Sequence, residues 1–459
     1  MFAVLLVIAL LADACAHYQP KPVSLAQTAA ELDSRSLTNF ELQEFIAAHL
    51  TNQPAPITDW NVDSLTLAAF YYHPSLQLAR AQRQTAAAGK LTAKARPNPT
   101  LSLSPGYDFS AVAGANPWIP GATIDIPIET AGKRGKRILQ AQHLAAAAQL
   151  SAAATAWQIR SNVHAATIEL WSARERERLV TNEIAHQSAL LKLLEQRLAA
   201  GAIAANELLP IRIVQARLQS ELATARAAAV QANVHLAEAI GIPVAALPNV
   251  RIDENALRID PEIFTHTTEL RARALQNRVD LLAALERYEA AQAALRLEIA
   301  KQYPDVKIGQ AYLWDQGEHK WNVLLTLDLP ILNRNQGPIA EAEARRNERA
   351  AEIIDAQARA INEIDRAIAT VEAAQREIGR AREAVETLQK QAKSVAERLA
   401  VGGADQTEVE TAAIEESAAT LLLLDAQTRA LGAEAELEAA LQIPSRILEA
   451  ANLGGLASQ

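Results

Sequence analysis

The sequence predicts a mainly α-helical protein with a small β portion, built from two copies of one unit. Apolar residues make up 50% of the 459 residues, yet aromatic residues only 4%, so aliphatic side chains carry the apolar half. Glycine and proline are scarce, at 17 and 19, which excludes a large turn-rich β protein. The aliphatic content also excludes disorder. The third observation is that the same motifs recur in the same order about 200 residues apart.

The charge and the cysteine content exclude nucleic-acid-binding proteins and disulfide-stabilised proteins. The net charge is −9, whereas binding of nucleic acid needs a clustered basic face for the phosphates, so we expect no nucleic-acid partner. Cys15 is the single cysteine, so the sequence has no intramolecular disulfide.

The amino terminus is typical of an export signal. Phe2 to Leu11 is an apolar run of about ten residues, the length of a signal-peptide core. Ala12-Asp13-Ala14-Cys15 follows, with small residues for a signal peptidase and a cysteine where a bacterial lipoprotein is acylated. We therefore predict a signal peptide at 1–14 and a lipid on Cys15. Cleavage by another peptidase, or a buried N-terminal helix with an ordinary cysteine, are the alternatives.

Four motifs recur in the two halves of the chain and indicate a tandem duplication. The pairs are Pro99-Thr100-Leu101 with Pro304-Asp305-Val306, Asp125-Ile126-Pro127-Ile128 with Asp328-Leu329-Pro330-Ile331, Arg197-Leu198-Ala199-Ala200-Gly201 with Arg398-Leu399-Ala400-Val401-Gly402, and Gly241-Ile242-Pro243 with Gln442-Ile443-Pro444. Each unit is expected to contain a helix, two short strands, a very long helix, a glycine turn and a second long helix.

The duplication divides the rest of the chain into five segments. They are an N-terminal lead-in at 15–60 with a short helix near Asn39–Leu50, a first repeat at 61–243, a connecting segment at 244–262, a second repeat at 263–444 and a C-terminal tail at 445–459.

A 3.5-residue repeat predicts a coiled coil in the second unit. Its apolar positions alternate steps of three and four residues, the spacing of a left-handed coiled coil. They are Ala360, Ile364, Ala367, Val371, Ala374, Ile378, Ala381, Val385, Leu388, Ala392, Val395 and Leu399. Helices predicted at 136–200 and 338–401 would each be roughly 95 Å long. That length favours a rod or a tube over a compact domain.

Four shorter segments alternate apolar with polar residues, as strands do when one face meets water. They are Leu101–Phe109, Trp118–Ile128, Val306–Trp314 and Trp321–Leu329. Each is about ten residues long, enough to cross a bilayer as a tilted strand of a barrel. Two half-buried hairpins packed on helices would give the same pattern, and this alternative stays open.

The strand count sets the number of chains that a membrane barrel would need. Closing a barrel takes about eight strands in practice, and open strand edges cannot face lipid. Four strands per chain are too few, whereas three copies would supply about twelve. The membrane interpretation therefore predicts a homotrimer.

The duplicated layout, the Asp-aliphatic-Pro strand exits and the paired Arg-Leu-x-x-Gly turns together resemble the TolC-type outer-membrane efflux proteins. The similarity runs from about Leu65 to Pro444, and the junction Ile128–Arg134 is similar to the heavy-metal (Czc/Cus-type) branch. The resemblance implies a trimeric α/β-barrel channel, with its strands in the outer membrane, its helices in the periplasm and the segment 244–262 at the equator.

The resemblance also implies partners and a function. The channel would contact outer-membrane lipid and dock on a periplasmic adaptor (membrane fusion) protein bound to an inner-membrane pump, of the RND type in that branch. It would conduct substrates passively, heavy-metal cations in the Czc/Cus branch, with no enzymatic step and no cofactor.

Two turns are the candidate docking tips. Glycine supplies the left-handed conformation that ends a helix, and Asn206 and Thr407 are expected to cap the return helices. By the resemblance, the residues that would meet the adaptor are Arg197, Leu198, Gly201, Arg398, Leu399 and Gly402. The alternative is that they serve only as helix-turn residues.

Acidic residues are candidates for the conducting path. Glu408 matches the place where family members carry an acid at the periplasmic entrance, and Glu410 is a neighbouring candidate, although Asp405-x-x-Glu408 and Thr407-x-x-Glu410 also fit helix capping. Asp125 and Asp328 lie on the polar face of predicted strands and are expected to line the barrel lumen. Solvated turn residues at the barrel rim are the alternative.

Basic residues open the first long helix, where cations oppose the helix macrodipole. They are Lys133, Arg134, Lys136 and Arg137. We expect a compensating anion, such as a lipid phosphate or a neighbouring chain's carboxylate; a solvated basic face is the alternative.

Catalytic constellations are absent from the sequence; the histidines are scattered, and no pair of them has helical metal-ligand spacing. We expect no catalytic, cofactor or metal site. The alternative to a channel is a periplasmic coiled-coil scaffold or adaptor with soluble hairpins. Trp321–Leu329 distinguishes the two, because its apolar face meets lipid only in a channel.

Overall fold

A computed structural model describes residues 18–50, 57–112, 114–247, 250–253, 257 and 267–442. The predicted signal peptide, Cys15 and the tail at 445–459 lie outside the described residues. The lead-in contains α1 (Leu25–Asp33) and α2 (Phe40–His49). Asn39 caps α2 by accepting hydrogen bonds from two backbone amides. The short helix predicted near Asn39–Leu50 is therefore present.

The two halves contain the same elements in the same order. The first has β1 (Asp59–Trp60), α3 (Val62–Tyr72), α4 (Pro74–Lys94), β2 (Thr100–Tyr107), β3 (Trp118–Ile128), α5 (Lys133–Ala199) and α6 (Leu208–Ile240). The second has β4 (Arg251–Ile252), α7 (Thr267–Asn277), α8 (Val279–Ala300), β5 (Val306–Asp315), β6 (Glu318–Leu327), α9 (Gln336–Ala400) and α10 (Gln406–Leu441). The duplicated, mainly helical fold class is thereby confirmed.

The long helices match the sequence prediction closely. α5 has 67 residues and α9 has 65, so each is about 100 Å long. Every residue of the predicted seam from Ala360 to Leu399 is buried or half-buried, and α9 packs on α10 along it. α5 packs on α6 and α10, which joins the two halves. None of the described helices has an apolar stretch of the length that a membrane crossing requires.

The main core lies where α3 is enclosed by α5 and α6. Leu65, Phe70, Val163 and Leu236 are at most 1% exposed there. β1 and β4 pair in parallel beside this core, with Asp59 opposite Arg251, and so attach part of the connecting segment to the lead-in.

The remaining strands form one antiparallel sheet in the order β2-β3-β5-β6. Each repeat supplies a hairpin, and β3 pairs with β5 between them, with Ile126 opposite Ile308. β2 and β6 are the two edges of the sheet.

Candidate functional site

The four-stranded sheet has one apolar face and one polar face. Cross-strand pairs such as Leu101 with Ile124 and Ile308 with Leu325 lie on the apolar face. The polar face contains Ser102, Ser104, Thr123, Asp125, Lys307, Asn322 and Thr326. Val323 and Leu325 on the apolar face are 79% and 67% exposed. A single chain therefore leaves a broad apolar surface uncovered, which marks an interaction surface.

Aromatic rings cluster at the end of this sheet that lies away from the long helices. Tyr107 contacts Phe109 and Trp118 at centroid distances of 5.0 and 5.2 Å. Tyr312 contacts Trp321 at 4.9 Å. Aromatic residues at the end of an apolar strand face are typical of the boundary between a membrane and water.

The two predicted lumen aspartates occupy different surroundings. Asp125 lies on the polar face opposite Gly309. A Cβ added at Gly309 would lie 2.5 Å from Asp125 Oδ1, so a larger residue at position 309 would displace the carboxylate from its present place. Asp328 follows the end of β6 and lines a cavity of about 660 Å³ together with Lys133 and Arg137. The structure thus puts one aspartate within the sheet and the other at the strand-to-helix junction.

Basic residues at the start of α5 pair with anions of the same chain. Lys133 Nζ lies 2.7 Å from Asp305 Oδ1, and Arg137 Nη1 lies 2.6 Å from Glu129 Oε1. Arg134 donates to the carbonyl oxygen of Lys94 at the end of α4, where the helix dipole is negative. Lys133 and Arg137 thus have carboxylate partners within the chain, whereas Arg134 and Lys136 bond to backbone carbonyl oxygens.

The two Arg-Leu-x-x-Gly motifs form the same helix-ending turn. Gly201 and Gly402 have φ angles of 70° and 73°, which favour glycine. Ala202 N donates to the Arg197 carbonyl oxygen at 2.9 Å, and Gly403 N donates to the Arg398 carbonyl oxygen at 2.8 Å. These six-residue closures are Schellman motifs, so the repeat motif is a helix C-cap.

An ion pair joins the two tips. Arg197 Nη2 lies 2.7 Å from Asp405 Oδ2, at the start of α10. Asp405 also accepts hydrogen bonds from the backbone amides of Thr407 and Glu408, at 2.8 and 3.0 Å. The Thr407 hydroxyl and the Arg197 guanidinium hold the pKa of Asp405 well below its usual range.

The capping prediction is wrong for Asn206 and Thr407, whereas the capping alternative Asp405-x-x-Glu408 is confirmed, because Asp405 accepts from Glu408 N. Asp405 is the N-cap of α10, and Thr407 lies inside the helix. Asn206 lies in the single 3₁₀ turn Ala205–Glu207, and no side chain caps α6. An aspartate two residues before Thr407 was the available signal, because aspartate caps at least as well as threonine.

The two candidate entrance acids face different neighbours. Glu408 Oε2 lies 3.1 Å from Arg398 Nη2, and the Glu408 side chain is 48% exposed. Glu410 Oε2 lies 2.9 Å from His186 Nδ1 on α5, and the Glu410 side chain is 14% exposed. Of the two, Glu408 is the acid open to solvent in a single chain.

Three histidines of α5, scattered in the sequence, each contact a glutamate of the second repeat. His143, His164 and His186 contact Glu286, Glu438 and Glu410 at 2.7, 3.2 and 2.9 Å. His143 and His164 are 21 residues apart, which is three heptads, and His186 follows 22 residues later, one residue more than three heptads, so the three lie near one face of the helix. Among the described residues, no group of three or more possible protein ligands is placed to hold a metal ion.

One buried ionic cluster lies in the helical body. Arg160 bonds to Asp63 and Glu438, each at 2.8 Å, and is itself almost fully buried. Burial alone would raise the pKa of Glu438, but the hydrogen bond with His164 and the charge of Arg160 lower it to about 2. This cluster was not predicted, because its members are separated by about 100 to 280 residues in the sequence.

Comparison with known proteins identifies the family. The model of the outer membrane efflux protein family matches residues 69–242 and 270–441, the two repeats. The cobalt-zinc-cadmium resistance protein CzcC of Cupriavidus metallidurans is 28% identical over 223 residues. That match covers 48% of this chain and 52% of CzcC, so the chain spans about half the length of this curated relative.

Solved structures share the fold. The outer membrane protein VceC from Vibrio cholerae superposes with a TM-score of 0.67 at 21% identity, covering 83% of this chain and 95% of VceC. CusC, crystallised in studies of transmembrane channel formation, gives 0.67 at 18% identity, covering 93% of this chain and 99% of CusC. The family match takes in both halves of the duplication. The chain therefore belongs to the TolC-type outer membrane efflux protein family.

Proposed function

We propose that three copies of this chain close into one outer-membrane conduit that conducts solutes passively from the periplasm to the exterior. One observation carries the proposal: the sheet has an exposed apolar face opposite a polar one, with unpaired edges at β2 and β6. Pairing these edges between copies satisfies their backbone groups, turns the apolar face to lipid and encloses the polar face. Channels of this family form trimers, which is consistent with this closure. Family membership also favours a channel over a soluble scaffold.

The helical hairpins would form the periplasmic part and meet the partners. The two tips lie side by side through Arg197 and Asp405, and Val401 in the turn of the second tip is 83% exposed. An exposed apolar side chain flanked by charges suits docking by a periplasmic adaptor protein. Energy would come from an inner-membrane pump, which the heavy-metal likeness suggests is of the RND type. Cys15 is proposed as a lipid anchor.

Heavy-metal cations are the proposed substrates. The support is the likeness to CzcC, a protein of cobalt, zinc and cadmium resistance. Deleting the gene should reduce survival on zinc, cobalt or cadmium, with copper, silver, dyes and antibiotics tested in parallel, and the intact gene should restore it. If only sensitivity to organic compounds changes, the substrate assignment is wrong while the channel proposal stands.

Glu408 is the proposed selectivity residue of the entrance. Threefold symmetry would place three carboxylates around one axis, which concentrates cations there. Glu408→Ala should lower the single-channel preference for cations over anions in planar bilayers. Glu269→Ala on the exposed surface of α7 removes the same charge far from the tips and is the control. Equal selectivity of the Glu408 variant and the control would remove Glu408 from the constriction.

A further inference from the structure

Three large aliphatic side chains project from the segment that follows β6, at the end of the sheet nearest the long helices. Leu329, Ile331 and Leu332 are 66%, 72% and 95% exposed. They follow closely on Leu327, the last paired residue of β6, which lies on the apolar face opposite Val306.

The corresponding exit of the first repeat is built differently. Ile128, Val306 and Leu327 lie in one row across the sheet and mark the same level. Beyond Ile128, the chain is bonded to the segment that precedes β5, because Thr130 N donates to Asp305 Oδ1 at 2.9 Å. Of the two exits, only the second directs large aliphatic side chains outward.

Hydrogen bonds hold this second exit in place, and within 329–334 they pair the amides of Ile331 and Arg334. Ile331 N donates to Leu329 O at 2.8 Å, Arg334 N to Gln336 Oε1 at 2.7 Å, Asn335 N to Asn333 Oδ1 at 2.8 Å, and Asn335 Nδ2 to Glu298 O at 2.8 Å. Pro330 has no amide hydrogen to satisfy. The boundary of a bilayer, unlike its hydrocarbon core, offers water to the other amides of the segment, so 329–334 can enter the boundary without pairing all of them internally.

We propose that residues 329–334 form an interfacial wedge that inserts Leu329, Ile331 and Leu332 among the glycerophospholipids of the leaflet facing the helices. Arg334 is exposed, and among the described residues its guanidinium has no hydrogen-bond or ion-pair partner. Such a side chain can extend to the phosphate level while the aliphatic groups lie deeper. The wedge rests on the proposed function, because the apolar sheet face must itself lie in lipid.

The test measures the surroundings of nitroxide labels on the trimer in vesicles of phosphatidylethanolamine and phosphatidylglycerol. Labels are attached at Leu332→Cys, at Val323→Cys within β6 and at Val401→Cys at a helical tip. Val401 is the matched control for Leu332, since both are apolar and at least 83% exposed in the chain. We expect labels at positions 332 and 323 to collide more often with oxygen than with a water-soluble nickel complex, and the label at 401 to do the reverse.

The collision data distinguish a failure of the wedge proposal from a failure of the proposed channel function. Nickel-dominated collisions at 332 with oxygen-dominated collisions at 323 would overturn the wedge and leave the sheet in lipid. Nickel-dominated collisions at both positions would contradict the proposed function itself. In the Leu332→Cys protein, Arg334→Gln should lower the ratio of oxygen to nickel collisions; an unchanged ratio would overturn the phosphate contact.

Discussion

At the scale of single residues, Glu438 links α10 to two basic side chains of α5. Glu438→Gln would leave the buried Arg160 with Asp63 as its remaining carboxylate partner. Because the buried Arg160 cation loses an anionic hydrogen-bond partner, we expect a loss of about 1–3 kcal/mol in the free energy of unfolding. Thermal unfolding of the purified protein at neutral pH measures this as a lower Tm. A Tm equal to that of the unsubstituted protein would show that the pair contributes nothing.

Glu434, one helical turn before Glu438, provides a matched control, because we do not expect its substitution to lower the Tm. It has no ion-pair partner among the described residues, and burial raises its pKa while His164 opposes the rise. Removing a charge that burial disfavours should leave the Tm unchanged or higher, so Glu434→Gln is expected to be neutral or stabilising. A loss as large as that of Glu438→Gln would mean that Glu434 has a stabilising role the contacts do not reveal.

The pH dependence of the Glu438 contribution follows from its depressed pKa. The folded value of about 2 lies below the ordinary value of 4.5, so the unfolded state takes up a proton first as the pH falls. The stabilisation is thus complete above pH 4.5 and is lost as the pH falls through about 2. The Tm difference between the unsubstituted protein and Glu438→Gln should shrink over that window, and a constant difference would contradict the assignment.

At the scale of elements, the glycine turns give a local test of the tips. Gly402 has a φ of 73°, so Gly402→Ala forces a side chain into a left-handed backbone at a cost of about 1–2 kcal/mol. Gly403 is not among the residues with positive φ, and a Cβ added there would lie 3.6 Å from its nearest neighbouring atom, so Gly403→Ala is the control. Hydrogen exchange of the Gly402 turn amides should accelerate in the first variant only. Equal exchange in the two variants would contradict a requirement for glycine at this turn.

The elements themselves could be predicted because their signals are local. The seam from Ala360 to Leu399 and the parity of Trp118–Ile128 follow from side-chain periodicity, and the structure has both. The tip pair of Arg197 with Asp405 and the cluster around Arg160 could not be predicted, because both join residues far apart in sequence. Capping at the second tip was predicted with two alternatives, Asp405 and Thr407, and Asp405 is the cap.

At the scale of the whole molecule, the proposal requires a stable trimer that resists extraction without detergent. We expect the protein in the membrane fraction, and a band of about three times 49.5 kDa on mildly denaturing gels that collapses to one chain on heating. Closure would bury the edges of β2 and β6, which explains the heat-sensitive band. Recovery as a soluble monomer from the periplasm would instead support a scaffold.

If lipid lies on one face of the sheet and water on the other, two adjacent leucines of β6 must differ in their access to water. Leu324 has the polar parity and Leu325 the apolar parity, and in the single chain they are 45% and 67% exposed. Cells carrying Leu324→Cys or Leu325→Cys are treated with a membrane-impermeant maleimide, with the unsubstituted protein as background. We expect position 324 to react and position 325 not to react, the reverse of their exposure in one chain. Stronger reaction at 325 than at 324 would contradict this placement of lipid and water.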